Sequence, residues 1–177
     1  MIKQFFILIF LFGFTVIQAQ ENDEKLYWST TKLTWQDFKA QPDPSDPYHA
    51  NTYSGFTFSW SINQDENGRN FSFDVKSYFL PNQSWVKKGK ANPYLLAHEQ
   101  LHFDISELQA RKFEKALSSF DTSGSISQIK QRMKKIYQRI EHEREAIQNK
   151  YDKETQHGNN KESQKKWSLL IQQKLSD

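Results

Sequence analysis

Two periods of hydrophobic residues divide the chain near residue 90. Before that point, residues 53–62 alternate Phe56, Phe58 and Trp60 with small polar residues, and a second alternating run begins at Phe71. The turn formers of residues 65–68, which include an Asn-Gly pair, lie between the two runs. Alternation at period two on both sides of such a turn predicts an antiparallel hairpin with one buried face.

The segments before the hairpin have weaker patterns. Residues 26–39 carry several large apolar side chains and predict a short extended piece, followed by a helical turn at residues 34–38. Residues 40–51 combine three prolines with aspartates, which predicts a loop that contains neither strand nor helix.

After residue 90, hydrophobic residues recur at helical spacing and predict three helices. The expected bounds are Pro93 to about Leu117 for the first, a start after the N-cap Ser125 for the second, and about Lys161 to Leu175 for the third. Residues 151–160 are polar and contain Gly158, so we expect a turn there. These elements predict one α+β domain over residues 20–177, with a small antiparallel sheet packed by three helices.

The first nineteen residues have the pattern of a secretory signal peptide. One early cation, Lys3, is followed by an uninterrupted apolar run over residues 5–17 and then by Ala19. That run is shorter than the roughly 20 residues that a spanning helix needs. We expect cleavage after Ala19, no stable membrane anchor, and a secreted or periplasmic protein.

Composition narrows the chemistry that is available. The chain has no cysteine, so disulfides are excluded and any metal must be held by histidines and carboxylates. The net charge of +3 is mild, and basic residues are interspersed with acidic ones, so no nucleic-acid partner is expected.

The first predicted helix contains His98-Glu99-Gln100-Leu101-His102, which matches His-Glu-x-x-His. Residues i and i+4 lie on one helix face, so both imidazoles can reach one tetrahedral zinc ion. The intervening glutamate points away from the metal and can take a proton from zinc-activated water as general base. At about 100° per residue, both histidines fall in the middle of the apolar face, which argues against a chance occurrence.

A catalytic zinc takes three protein ligands, so a third must come from elsewhere. The helix phase places Asp104 and Glu107 on the opposite side of the helix and excludes them. Three candidates remain in order of preference: His157 in the predicted turn, Glu143 in the apolar stripe of the second helix, and His49 in the proline-rich loop.

Several motifs carry a family resemblance: LTWQDF near residue 35, AHEQLHFDISELQAR around the histidines, YDKETQHG at residues 151–158, and a later Gln164 and Trp167. Together they resemble an uncharacterised group of bacterial exported proteins described as predicted secreted zinc-dependent proteases. The resemblance implies that YDKETQHG is a second block of functional residues. It supports His157 as the third ligand and makes Tyr151 a candidate to hydrogen-bond a developing oxyanion.

The sequence therefore predicts an exported zinc-dependent peptidase that acts on peptides or proteins. His98, His102 and His157 would hold Zn²⁺, Glu99 would act as general base, and Tyr151 would assist. By analogy with zincins, the first long helix would lie against the sheet. The alternative is a zinc-binding or interaction protein of the cell envelope that catalyses nothing.

Overall fold

The computed structural model describes residues 24–66 and 68–176, and its architecture is α+β, as the sequence predicts. The strands are β1 (Leu26–Tyr27), β2 (Ala50–Asn51), β3 (Ser54–Asp65), β4 (Gly68–Phe79) and β5 (Trp85–Val86). The helices are α1 (Pro93–Ser118), α2 (Ile126–Thr155) and α3 (Lys161–Ser176). The predicted signal peptide lies outside the described residues.

The predicted hairpin is confirmed as the centre of the main sheet. β3 and β4 pair antiparallel from Ser54 opposite Phe79 to Asp65 opposite Gly68, so only two residues connect them. β1 pairs with the other edge of β4, which gives the order β1-β4-β3. The alternating aromatic residues of β3 pack against the helices around Phe113, because period-two alternation puts every second side chain on one face of a sheet.

The prediction of a plain loop over residues 40–51 is wrong at its end. Ala50 and Asn51 form β2, which pairs antiparallel with Val86 and Trp85 of β5. The pairing involves two residues on each side, too few for any alternation to show in the sequence. This second sheet fixes the chain that enters β3, and that chain borders the site described below.

The first helix contacts the sheet and both other helices, and α2 also reaches β3, where Tyr137 packs on Phe56 and Phe58. α1 packs on β3 and β4 through Phe113 and Leu117, and on α2 and α3 through Leu101 and Ile105. Asn92 caps its start by accepting a hydrogen bond from the backbone of Leu95, and its first residue is a proline. No helix in the described ranges is both long and apolar enough to cross a membrane.

The second helix is longer than predicted. It continues through Thr155, so the first five residues of the predicted 151–160 turn are helical. The turn begins only at Gln156 and His157, both of which have φ near 51°, and Gly158 follows with φ of 80°. This extension places residues 148, 151, 152 and 155 on consecutive turns of a regular helix beside α1.

Candidate metal centre

Three side chains of α1 and α2 that could each bind a metal ion lie close together. The Nε2 atoms of His98 and His102 lie 3.3 Å apart. Oδ1 of Asp152 lies 3.2 Å from Nε2 of His98 and 3.1 Å from Nε2 of His102. Within the described chain, these three residues are the group of His and carboxylate side chains that could hold one metal ion.

The spacing and the chemistry of the three donor atoms fit zinc. A tetrahedral zinc ion with bonds of about 2.0–2.1 Å holds its ligand atoms about 3.3 Å apart. The observed separations of 3.1–3.3 Å agree with that value. Two imidazoles and one carboxylate form a nitrogen and oxygen donor set of the kind found in catalytic zinc sites.

The ring of His98 is closely surrounded by Tyr151 and Gly158. Tyr151 stacks on it with ring centroids 4.6 Å apart, and the tyrosine hydroxyl donates to the backbone oxygen of His98 at 3.3 Å. On another side, a Cβ added to Gly158 would lie 3.3 Å from Cγ of His98. The histidine is 2 % exposed, so its ring has little freedom to leave the site.

His102 is oriented by a neighbouring amide. Oε1 of Gln148 accepts a hydrogen bond from Nδ1 of His102, and Nε2 of Gln148 donates to the backbone oxygen of His102 at 2.8 Å. An acceptor on Nδ1 keeps the proton on that nitrogen and leaves Nε2 to face a metal. Gln148 is thus the supporting partner that a zinc-binding histidine usually has.

The electrostatic environment of the triad favours positive charge. Burial lowers the pKa of His102, but the hydrogen bond with Asp152 and the negative charges of Glu99 and Asp152 outweigh it and raise that pKa overall. Burial likewise opposes ionisation of Asp152, yet hydrogen bonds with His102 and His98 hold its pKa well below the usual range. A carboxylate that stays ionised and a field that stabilises a cation are both suited to a divalent metal.

Glu99 lies beside the triad and is almost fully buried. The Thr52 hydroxyl donates to Oε2 of Glu99 at 2.7 Å, which fixes the orientation of the carboxylate. Thr52 belongs to the chain between β2 and β3, so the second sheet determines this contact. Glu99 and the triad line the same cavity of about 660 Å³, as the motif predicts for a general base.

The cavity, called the groove below, is lined by two dissimilar segments of the chain. The consecutive residues 47–55 form one wall, and a face of α2 from Tyr137 to Asp152 forms the other. The histidines and Glu99 of α1 lie between these walls. A cavity of this volume, lined partly by extended chain and partly by a helix, leaves room for a ligand beside the triad.

The three candidates for the third ligand lie in different places. His157 lines the cavity with Nδ1 3.6 Å from Oδ1 of Asp152, and its ring stacks on Tyr48. His157 is therefore next to the triad but not within it, and its role as a ligand stays a prediction. Glu143 forms an ion pair with Lys112, and His49 lines the cavity without joining the triad.

Tyr151 is also close to the triad, in the core. Its side chain is fully buried between His98, His102 and Trp167, and its hydroxyl bonds to the backbone of His98. Burial raises its pKa, so the hydroxyl keeps its proton. These contacts make Tyr151 a support for His98, and its proposed contact with an oxyanion stays a prediction.

Two residues of the candidate metal centre, Asp152 and Gln148, were missed by sequence reasoning. Asp152 follows from the spacing 148, 151, 152 and 155 once α2 is continued to Thr155, since such residues share one face of a helix, whereas Gln148 already lay within the predicted second helix. Asp152 lies inside the predicted turn at residues 151–160 and was not among the candidate ligands that the sequence suggested. Asp104 and Glu107 contact other residues, as the helix phase predicts: Asp104 accepts from Trp28, and Glu107 from Ser77.

Fold and site define an α+β protein with a candidate metal centre on a His-Glu-x-x-His helix. The chain belongs to a family described as bacterial protein of unknown function (DUF922), whose model matches residues 26–158. That range contains the whole triad and ends at Gly158. No curated protein and no solved structure gives a significant match.

Gly158 should be essential for the geometry of His98. In Gly158→Ala, we expect zinc affinity to fall about tenfold, because the new methyl group would push the ring of His98 out of line and such supporting changes typically cost about 10- to 100-fold. The left-handed backbone should also cost about 1–2 kcal/mol of folding stability. Calorimetric titration of the protein with zinc, together with urea unfolding, measures both effects.

Gly89 offers a matched control for this substitution. Its φ is 74°, but nothing lies within 4 Å of an added Cβ. Gly89→Ala should therefore lose similar folding stability and keep its zinc affinity. Equal zinc affinity in the two alanine variants would show that the approach of Gly158 to His98 does not matter for the site.

Proposed function

We propose that the protein is an exported zinc-dependent peptidase, with His98, His102 and Asp152 as the metal ligands and Glu99 as the general base. The observation that carries this proposal is the position of Glu99, whose carboxylate lies beside the triad in one cavity and is oriented by Thr52. A site that only stored or sensed zinc would not need a buried, fixed carboxylate outside the ligand set.

Bound zinc would lower the pKa of a water molecule toward about 7 and polarise a carbonyl group. Glu99 would accept the proton of that water and pass it to the leaving amine. Gln148 would keep the Nε2 atom of His102 available as a ligand, and Tyr151 would hold the ring of His98. The placement of a His-Glu-x-x-His helix against an antiparallel sheet supports a zincin-like assignment by analogy.

The shape of the groove supports a polypeptide as the substrate. Residues 50–55, which run from β2 into β3, present an extended stretch of main chain along the cavity. Thr52 lies in this stretch, and within the described part of the chain its backbone N–H and carbonyl have no hydrogen-bond partner. Unpaired backbone groups of an extended segment are the groups that an extended peptide pairs with.

Zinc content and metal-dependent hydrolysis together test the proposal. The purified mature protein should bind one zinc ion per chain and cleave an unfolded protein such as casein. A chelator should abolish cleavage, and added zinc should restore it, because the metal is required for the chemistry. One zinc ion per chain without any hydrolysis would favour a binding protein, and absence of zinc binding would refute both readings.

A further inference from the structure

A second group of polar side chains lies in the same cavity, away from the triad. We call it the tyrosine–arginine pocket; it comprises Tyr78, Tyr137, Glu141 and Arg144. Arg144 lies on α2, eight residues before Asp152, which corresponds to about 12 Å along a helix. The pocket and the metal triad are therefore separate parts of one continuous groove.

The guanidinium group of Arg144 is held by two hydrogen bonds, and some of its N–H donors remain available. Its Nε donates to Oε2 of Glu141 at 2.8 Å, and its Nη1 donates to the backbone oxygen of Ser54 at 3.2 Å. An arginine has five N–H groups, and the other three have no partner among the residues described here. The side chain is only 16 % exposed, so these donors are held in the cavity wall at a fixed orientation.

Two tyrosine hydroxyls add further donors to the pocket. Tyr78 and Tyr137 both line the cavity, and within the described ranges neither hydroxyl has a hydrogen-bond partner. A Cβ at Gly55 would come within 3.1 Å of the Tyr78 hydroxyl, so the glycine leaves room for it. Burial raises the pKa of both tyrosines, which keeps the hydroxyls protonated and able to donate.

The chemistry of the pocket favours an anionic acceptor. Its free donors are three guanidinium N–H groups and two phenols, which outnumber the one carboxylate oxygen of Glu141, Oε1, that Arg144 does not engage. Lys25 adds positive charge nearby, with Nζ 4.8 Å from the centre of the Tyr78 ring. A planar guanidinium with adjacent hydroxyl donors is the arrangement that recognises a carboxylate.

We propose that the tyrosine–arginine pocket binds a carboxylate of the peptide substrate, three or four residues from the bond that is cut. The count follows from the distance, since an extended peptide advances about 3.3 Å per residue and the two sites are about 12 Å apart. The carboxylate belongs either to the C-terminus of the substrate or to an aspartate or glutamate side chain. The inference rests on the proposed peptidase function for the identity of the ligand.

Binding of short peptides tests the pocket without requiring hydrolysis. The zinc-loaded Glu99→Gln protein would be titrated with N-acetylated tetra-alanine as the free acid and as the amide. We expect the acid to bind about tenfold more tightly, because hydrogen bonds to a charged group are the strong ones. Amidated peptides that end in glutamate or glutamine, compared in the same way, distinguish a side-chain carboxylate from a terminal one.

Two arginine variants show whether the peptide carboxylate binds in the tyrosine–arginine pocket or at the metal. Arg144→Gln should abolish the preference for the acid. Arg139→Gln removes the same charge from an exposed position of α2 outside the cavity and should keep that preference. Equal binding of acid and amide, no binding of either, or a preference that survives in Arg144→Gln would overturn the proposal.

Cleavage by the wild-type protein distinguishes failure of this inference from failure of the proposed function. A peptide mixture, digested and analysed by mass spectrometry, should show cuts enriched three or four residues from a carboxylate. Efficient cuts without that enrichment would refute the pocket and leave the peptidase intact. No cuts, together with selective binding of the acid, would refute the peptidase and leave the pocket as a carboxylate site.

Discussion

Asp152→Asn should lower the affinity for zinc by about 100-fold or more, since changes to residues that only support a ligand already cost about 10- to 100-fold. Asparagine keeps the size of the side chain but removes the charge that both histidines face at 3.1–3.2 Å. Zinc titration by calorimetry, or competition with a chromogenic chelator, gives the affinity directly.

The matched substitution is His157→Ala, which should leave zinc affinity within about threefold of wild type, because the triad already supplies the three protein ligands that such a site needs. His157 lies 3.6 Å from Oδ1 of Asp152 and is 41 % exposed, so its removal leaves the triad in place. The opposite pattern, with zinc lost in His157→Ala and kept in Asp152→Asn, would restore His157 as the third ligand. Circular dichroism of both variants checks that each remains folded.

The elements with regular, long patterns could be predicted from the sequence, and so could the short strand Leu26–Tyr27 and the helical turn Trp35–Asp37, whereas β2 and β5 could not. Phe56, Phe58 and Trp60 define the buried face of a twelve-residue strand, and that face packs where the alternation places it. β2 and β5 have two residues each and are stabilised by pairing between segments far apart in the chain. Such pairing leaves no periodic signal, so the wall of the cavity was the least predictable part of the fold.

The site was predictable on α1 and not on α2, for a physical reason. His98, Glu99 and His102 are close in sequence, and helix geometry alone brings them together. Asp152 and Gln148 lie about fifty residues further on, and their approach to α1 depends on how the two helices pack; the position of Asp152 depends also on where α2 ends. Polar residues and Gly158 suggested an early end, but Thr155 is fully buried and its hydroxyl donates to the backbone of Tyr151 within the helix.

Residues from the two ends of the described chain stabilise α1, directly or through Tyr151. Trp28 donates to Asp104, and the backbone of Leu33 donates to Gln100, so the N-terminal segment holds the back of the helix. Trp167 packs against Tyr151, which stacks on His98. These three contacts restrict the positions of the histidines of α1 before any ligand binds.

Because α1 is held in place, Glu99 also has a fixed position, and its substitution should have a large effect on hydrolysis. In Glu99→Gln, hydrolysis should fall by about 10²–10⁴-fold, because the amide can no longer accept a proton in the step for which the carboxylate is positioned. The metal should stay bound with little change, since Glu99 lies outside the triad. Rates of casein cleavage, measured beside zinc content in the same preparations, separate loss of the base from loss of the metal.

Two further variants test whether the effect of Glu99→Gln depends on the position and orientation of the Glu99 carboxylate. Glu145→Gln removes the same charge from the α2 wall of the cavity and should keep most of the activity. Thr52→Val removes the hydroxyl that donates to Glu99 and should lower the rate by about tenfold, as expected for one lost hydrogen bond to a charged group. A graded series, with Glu99→Gln far below Thr52→Val and Glu145→Gln near wild type, identifies Glu99 as a base that must be both present and oriented. If all three lost activity equally, the net charge of the groove, and not proton transfer at Glu99, would control the rate.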